Sequence, residues 1–182
     1  MAGKLIVISG PPGAGKSTLS RALASPAPDA EPVALVVGDA FWSHWVLPEG
    51  SQRQDAEGRH KRFKAVVMAS TAAALAYAMY GFDAVLDFSI PPGHLPSIVK
   101  MAAARNVALS FIVLLPAKEL CAARAASRSE GKIEDYSSLE VFYDQFAAAP
   151  KANVVAVGSD ASVDVLLAKL RAGLQEGAFA VS

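Results

Sequence analysis

The chain has 182 residues, 53% of them hydrophobic, with 17 Lys and Arg balanced by 17 Asp and Glu. A chain of this composition can bury a sizeable core, which excludes intrinsic disorder, and its balanced charge gives no overall attraction for nucleic acid or an anionic membrane. Its single cysteine, Cys121, excludes a disulfide framework within the chain and a cysteine-rich zinc site.

Short aliphatic runs alternate with helical patterns along the chain. The first run, KLIVIS at 4–9, predicts a strand buried on both faces, and a Gly/Pro loop separates it from a helix at 16–24. Further strands are predicted at 33–37, 83–88, 107–115 and 153–157, and further helices at 52–80, 95–105, 118–127, 137–149 and 162–174. The last residues are predicted to be a tail. This alternation predicts an α/β fold of three layers, a parallel sheet with helices on both faces.

Two helix starts carry capping signals. Ser137, with Glu140 three residues later, predicts a capping box, and Ser162 is a plausible N-cap for the last helix.

One stretch, 65–82, carries no charged residue and touches the length needed to cross a membrane. It consists mostly of alanine, which is a weak membrane residue and the best helix former, so a buried helix is expected instead. The N-terminal apolar run is too short for a signal peptide. We therefore expect a cytoplasmic protein that binds neither membrane nor nucleic acid.

The loop after the first strand carries the clearest chemical signal, because Gly10-Pro-Pro-Gly-Ala-Gly-Lys-Ser-Thr18 matches the phosphate-binding pattern G-x-x-x-x-G-K-[ST] in full. Glycines let the backbone curl around a phosphate, and its N–H groups together with the following helix N-terminus attract the anion. Lys16 is predicted to bridge the β- and γ-phosphates and the Ser17 hydroxyl to ligate Mg²⁺. The predicted nucleotide-binding residues of this loop are Gly10, Gly13, Ala14, Gly15, Lys16, Ser17 and Thr18.

Ligands of parallel α/β sheets lie at the carboxyl ends of the strands, and two carboxylates follow strands there. Asp39 follows the second strand and could accept a proton from a substrate hydroxyl, or cap the next segment. Asp87 ends the third strand at the position of a Walker B carboxylate and could hold Mg²⁺, or form an Asx-turn before two prolines.

Arg124 and Arg128 lie four residues apart, on one face of the helix after the fourth strand. They could cover the nucleotide and neutralise charge on the transferred phosphoryl group, with a short lid around 125–136, or they could belong to a solvated helix face with Glu119 and Glu130.

Two further clusters are ambiguous. Phe41, Trp42, His44 and Trp45 could form the wall of a substrate pocket or pack in the core. A basic stretch could bind an anionic group but more often forms a solvated face; it comprises Arg53, Arg59, His60, Lys61, Arg62 and Lys64. Cys121 is expected in the core.

With these residues in place, the chain resembles the P-loop small-molecule kinases, in particular the group around chloramphenicol phosphotransferase, gluconate kinase and the zeta-toxin-like kinases. The resemblance rests on the phosphate loop, Gly38-Asp39, Leu86-Asp87, the arginines before the lid, and Val157-Gly158-Ser159. It implies a five-stranded parallel sheet of order 2-3-1-4-5, ATP with Mg²⁺ as cofactors, and adenine packed between the Arg124 region and 158–161. The sequence Ala-Phe-Trp after Asp39 departs from the gluconate kinase pattern, so the substrate does not transfer.

The sequence thus predicts a single P-loop kinase-like domain over 1–182. Its predicted activity is transfer of the γ-phosphoryl group of Mg-ATP to a hydroxyl of a small molecule. Lys16, Asp39 and Arg128 are the predicted catalytic residues, Arg124 joins the nucleotide site, and Ser17 and Asp87 are the predicted metal ligands.

Other classes fit the sequence less well. A guanine-reading N-K-x-D sequence is absent, and Asp87-Phe88 stands where mechanical AAA+ ATPases normally have Asp-Glu. A non-kinase ATPase, an ATP-binding sensor and a nucleoside monophosphate kinase remain as alternatives. The oligomeric state is not predicted.

Overall fold

A computed structural model of the chain describes residues 2–25, 29–46, 56–129, 131, 133–158 and 162–182. Parallel strands form its centre in the order β2-β3-β1-β4-β5, as the resemblance implied. The strands are β1 (Lys4–Ser9), β2 (Ala34–Val37), β3 (Ala84–Asp87), β4 (Ala108–Pro116), β5 (Val154–Val157) and β6 (Ala180–Val181).

Helices cover both faces of the sheet. They are α1 (Lys16–Leu23), α2 (Ala56–Met79), α3 (Leu95–Ala103), α4 (Lys118–Ala126), α5 (Glu140–Ala147) and α6 (Val163–Gln175). Short 3₁₀ helices occupy Gly38–His44, Pro92–His94, Ser137–Leu139 and Lys151–Asn153. The predicted three-layer α/β/α fold is therefore confirmed.

The two cores follow from the alternation of side chains along β1. Leu5 and Val7 pack on one face with side chains of α2, α3 and α5. Ile6 and Ile8 pack on the other face with Leu19 of α1 and Leu170 of α6. A strand buried on both faces has no polar alternation, which is why KLIVIS reads as one apolar run.

The register of the sheet brings the predicted carboxylates toward the phosphate loop. Asp87, the last residue of β3, pairs with Ile8 of β1 on one side and with Val37 of β2 on the other. Since β1 leads directly into the loop and β2 leads into Asp39, all three connections leave the same edge of the sheet.

The predicted tail is wrong, because β6 adds a sixth, antiparallel strand beside β4. Phe179 explains the pairing: its side chain is only 6% exposed, and its carbonyl accepts a hydrogen bond of 3.0 Å from the Phe111 N–H. Burial of one aromatic ring thus holds this segment on the sheet.

The predicted capping box at Ser137 is also wrong. The Ser137 N–H donates to the Asp135 carboxylate at 2.9 Å, and a 3₁₀ turn precedes α5, which begins at Glu140. The prediction for Ser162 is confirmed, because its hydroxyl accepts from the Val165 N–H at 3.3 Å.

The long helical region predicted at 52–80 is one continuous helix, α2, over its described part; residues 52–55 lie outside the described residues. Its alanine-rich half packs Ala74, Leu75 and Ala78 into the core, as expected. Among the helices of the described ranges, none combines the length and apolar character needed to cross a bilayer.

Candidate functional site

A cavity of about 920 Å³ opens at the carboxyl ends of the strands. Its volume lies in the range of pockets that hold cofactors and small ligands. The phosphate loop and the start of α1 form one side, and residues from the ends of the other strands and from α2, α4, α5 and α6 complete it. The predicted residues on its surface are Gly13, Ala14, Gly15, Lys16, Ser17, Thr18, Asp39, Arg124 and Arg128.

The phosphate loop has the geometry of an anion cradle. Gly13 and Gly15 have φ angles of 83° and 90°, in the left-handed region that favours glycine. Gly15 occupies the N-cap of α1 and provides no side-chain cap. The N–H groups of the first helical turn therefore lack side-chain acceptors, and a phosphate group would satisfy them. Gly10, also predicted here, lies beneath the loop against Leu114.

Lys16 is the buried cation of this cradle. Its side chain is 7% exposed, and Nζ donates to the Pro11 carbonyl at 3.2 Å. Burial lowers the pKa of Lys16 to about 8, while the carboxylates of Asp87 and Asp39 act in the opposite direction. An amine held in this way lacks a full countercharge, which the phosphates of a nucleotide would supply.

The two predicted metal ligands, Asp87 and Ser17, lie within side-chain contact of each other, although Asp87 is not on the surface of the cavity. Burial raises the pKa of the Asp87 carboxyl, and a hydrogen bond with the Ser17 side chain together with the charge of Lys16 opposes that shift. One hydroxyl and one carboxylate suit Mg²⁺, which takes few protein ligands and completes its shell with phosphate oxygens and water. In the described part of the chain, no cluster of three or more His, Cys, Asp or Glu offers an all-protein metal site.

Asp39 lies in the first turn of the 3₁₀ helix Gly38–His44, exposed to the cavity. It does not cap that helix, since Val37 holds the N-cap position. Gly38 is needed beside it, because a Cβ there would overlap the Phe88 ring. The carboxylate is therefore free to face a substrate, and its charge acts on Lys16.

The two arginines and the predicted lid lie on the α4 side of the cavity. Arg124 and Arg128 line it, and the charge of Arg128 acts on Lys16. The segment that follows is joined to the phosphate loop, because the Tyr136 hydroxyl donates to the Pro12 carbonyl at 2.9 Å. Residues 130 and 132, and with them Glu130, lie outside the described residues.

Several cavity residues escaped the sequence analysis. Arg21 follows Ser17 by four residues, so it shares that face of α1, and its charge acts on Asp87. That spacing could have revealed it. Phe63, Phe88 and Phe142 also line the cavity, but they come from separate elements, and no local pattern brings them together.

The structure shows which residues of the two ambiguous clusters line the cavity. Trp42 lines the cavity, whereas Phe41, His44 and Trp45 are not among its lining residues. The basic stretch does not line the cavity at its described residues Arg59, His60, Lys61, Arg62 and Lys64, and Arg53 lies outside the described residues.

Cys121 is buried behind the phosphate loop, where its carbonyl meets Gly13, as expected of a core residue. Of the predicted adenine segment 158–161, only Gly158 is described.

Residues 5–150 match the AAA domain family. No curated protein matches the sequence significantly. Several solved structures are similar over nearly the whole of both chains, with low sequence identity.

Three of these structures represent them. A protein of Chloroflexus aurantiacus J-10-fl, provisionally named a kinase, is 18% identical with a TM-score of 0.69 over 97% of this chain and 98% of its own. The Mycobacterium tuberculosis APS kinase CysC, in complex with AMPPNP and APS, is 13% identical with a TM-score of 0.68 over 96% and 98%. A Sinorhizobium meliloti gluconokinase is 20% identical with a TM-score of 0.62 over 97% and 94%. At these identities the likeness shows a shared P-loop kinase-like fold.

Proposed function

We propose that this chain, which belongs to the AAA domain family, is a kinase that transfers the γ-phosphoryl group of Mg-ATP to a hydroxyl group of a small molecule. One observation carries the proposal: the buried amine of Lys16 shares one cavity with Asp39 and Arg128, at the edge of the sheet where β3 ends in Asp87. A phosphate cradle, a metal-binding carboxylate, a base and a cation are the parts that phosphoryl transfer needs.

In the proposed reaction, the loop N–H groups and Lys16 hold the β- and γ-phosphates. Ser17 and Asp87 would hold Mg²⁺, which would supply neutralisation of charge on the phosphates. Asp39 accepts a hydrogen bond from the acceptor hydroxyl and takes its proton as the oxygen attacks the γ-phosphorus. The new O–P bond forms as the bond to the bridging oxygen of ADP breaks, and Lys16 and Arg128 stabilise the transferring group.

Arg124 and the segment around 125–136 are proposed to cover the nucleotide as a short lid of one P-loop domain. The hydrogen bond from Tyr136 to Pro12 supports this role, because it joins the end of that segment to the phosphate loop. We propose that the protein acts in the cytoplasm on a small molecule and binds neither membrane nor nucleic acid.

The decisive test is transfer of label from γ-labelled ATP with Mg²⁺ to a pooled library of hydroxylated metabolites, antibiotics and nucleoside monophosphates. We expect a labelled product with the wild type and none with Lys16→Ala. Asp39→Asn keeps the size of the side chain but removes the proton acceptor, so kcat should fall by about 10²–10⁴-fold with little change in the KM for ATP.

Four outcomes would contradict part or all of the proposal. Unchanged transfer by Asp39→Asn would show that Asp39 is not the base. Release of free phosphate without a labelled acceptor would indicate an ATPase, and nucleotide binding without any turnover would indicate a sensor. A labelled nucleoside diphosphate would instead identify a nucleoside monophosphate kinase.

A further inference from the structure

Four aromatic side chains form one continuous wall of the cavity, here called the aromatic wall: Trp42, Phe63, Phe88 and Phe142. Phe63 is its centre. Its ring stacks on Trp42 with centroids 6.3 Å apart and an interplanar angle of 28°. It also meets Phe88 at 5.8 Å and, edge to face, Phe142 at 6.3 Å. These distances are those of mutually supporting aromatic pairs.

The aromatic wall is buried at Phe88 and partly exposed at Trp42. Phe88 is only 2% exposed, and Phe142 packs edge to face on the fully buried Phe146 at 5.2 Å. Trp42, in contrast, is 38% exposed and lines the cavity. Because the exposed indole lies on the cavity and stacks on Phe63, its open face is available to a ligand.

Two residues of the aromatic wall lie close in sequence to the carboxylates Asp87 and Asp39. Phe88 directly follows Asp87, and Trp42 follows Asp39 by three residues within the same 3₁₀ helix. The segment after Asp87 is fixed, because the Ser9 hydroxyl donates to the Ile90 carbonyl and accepts from the Ile90 N–H, both at 2.8 Å. A hydroxyl presented to Asp39 therefore places the rest of the acceptor against these rings.

Cationic side chains of the cavity lie on other elements. Among the described lining residues they are Lys16 and Arg21 of α1, Arg124 of α4 and Arg128 just after it. The wall residues belong to the 3₁₀ helix Gly38–His44, α2, the turn after β3 and α5. The charged part of the cavity thus suits the nucleotide, and the aromatic part suits an uncharged, flat, apolar group.

We propose that the phosphoryl acceptor is an alcohol that carries an aromatic ring, bound with the ring on Trp42 and Phe63 and the hydroxyl at Asp39. This inference rests on the proposed kinase function. It names the substrate class and makes Phe63 and Trp42 specificity-determining residues.

The test uses acceptor pairs that differ only in the ring, such as 3-phenylpropane-1,2-diol against propane-1,2-diol, with a nucleoside monophosphate as an anionic alternative. Label from γ-labelled ATP should reach the aryl alcohol with kcat/KM at least about tenfold above its ring-free partner. Equal or better transfer to the ring-free alcohol would overturn the inference and leave the kinase proposal standing. Transfer to the nucleotide alone would overturn both, because the acceptor would then be a phosphate group.

Matched variants test whether Phe63 and Trp42 bind the ring of the aryl alcohol. Phe63→Leu and Trp42→Leu keep an apolar side chain but remove the ring, so each should raise the KM for the aryl alcohol about tenfold without changing the KM for ATP. Trp45→Leu is the control, since Trp45 lies close in sequence, is exposed and does not line the cavity; it should change neither constant. An unchanged KM in Phe63→Leu and Trp42→Leu would contradict the assignment.

A binding measurement separates failure of this inference from failure of the kinase proposal. The chain has two tryptophans, so Trp45→Phe leaves Trp42 as the sole indole fluorophore. In the presence of Mg²⁺ and a non-hydrolysable ATP analogue, 3-phenylpropane-1,2-diol should change its fluorescence in a saturable way, and propane-1,2-diol should not. A saturable change without turnover would refute the kinase proposal alone, and no change would refute the aryl site.

Discussion

Lys16 is a buried amine whose protonation is set by its surroundings. Burial lowers its pKa to about 8, and the carboxylates of Asp87 and Asp39 compensate only part of that shift. Asp87 itself is buried, which raises its pKa. The free site therefore holds charges that are incompletely neutralised, and a triphosphate with Mg²⁺ would complete them.

The binding of ATP should consequently weaken at high pH. A nucleotide raises the pKa of Lys16 in the complex, because it adds opposite charge, so binding takes up a proton once the free amine is neutral. The affinity for Mg-ATP should be constant below about pH 8 and fall by up to about tenfold per pH unit above it. Calorimetric titrations from pH 7 to 9.5 would measure this slope.

Two lysine variants control that experiment. Lys16→Met removes the titrating amine, so its weaker binding should not change over the same range. Lys4→Met removes an exposed lysine whose partner is Asp83, outside the cavity, and should keep the wild-type slope. A wild type with no slope would show that the lysine does not titrate there.

The phosphate loop is an element whose two central glycines differ in their surroundings. Both have positive φ angles, but a Cβ at Gly13 would overlap the Cys121 carbonyl of α4, whereas a Cβ at Gly15 would enter open space. The loop therefore rests on α4 at Gly13 and faces the cavity at Gly15. This packing holds the loop in place before any ligand arrives.

Alanine at these two positions should have unequal effects. Each variant bears the strain of a left-handed alanine, but Gly13→Ala adds a clash, so its free energy of unfolding should fall by about 1–3 kcal/mol more than that of Gly15→Ala. Urea denaturation of both variants without nucleotide would measure the difference. Equal losses would mean that the loop does not rest on α4.

At the scale of the whole molecule, β6 packs beside the start of β4. Phe179 joins the core formed with α1 and α6, and its ring fills the space beside Gly173, where a Cβ would overlap it. The segment pairs with the start of β4, opposite the carboxyl ends of the strands, and none of its residues lines the cavity. It should therefore contribute to stability and leave the chemistry unaffected.

Phe179→Ala should lower the free energy of unfolding by about 3 kcal/mol, because it empties a buried ring site. Tyr80→Ala is the matched control, since Tyr80 is 85% exposed and should change stability by less than about 0.5 kcal/mol. Chemical denaturation would measure both, and the nucleotide affinity of the folded protein should be unchanged. A loss for Phe179→Ala no larger than the control would show that β6 is not packed as described.

Local patterns in the sequence determined the strands, the helices and the phosphate loop. The apolar run of β1, the glycines before Lys16 and the Ser162 cap each depend on neighbours a few residues away, so their physical cause is visible in the printed chain. The strand-end rule also directed attention to Asp39 and Asp87, because parallel strands share one carboxyl edge. The order of the strands came from the resemblance alone.

Only the tertiary structure decided the features that depend on distant contacts. The Ser137 N–H donates to the Asp135 carboxylate, and the predicted cap does not form. Burial of Phe179 makes the predicted tail a strand, β6. The aromatic wall is the clearest case. Its four rings are spread over about a hundred residues of sequence, and they form one surface only because α2 packs beside β2 and β3 and Phe142 of α5 meets Phe63 of α2. Periodicity reports which face of one element is apolar, but not which elements share a cavity, because that depends on long-range packing.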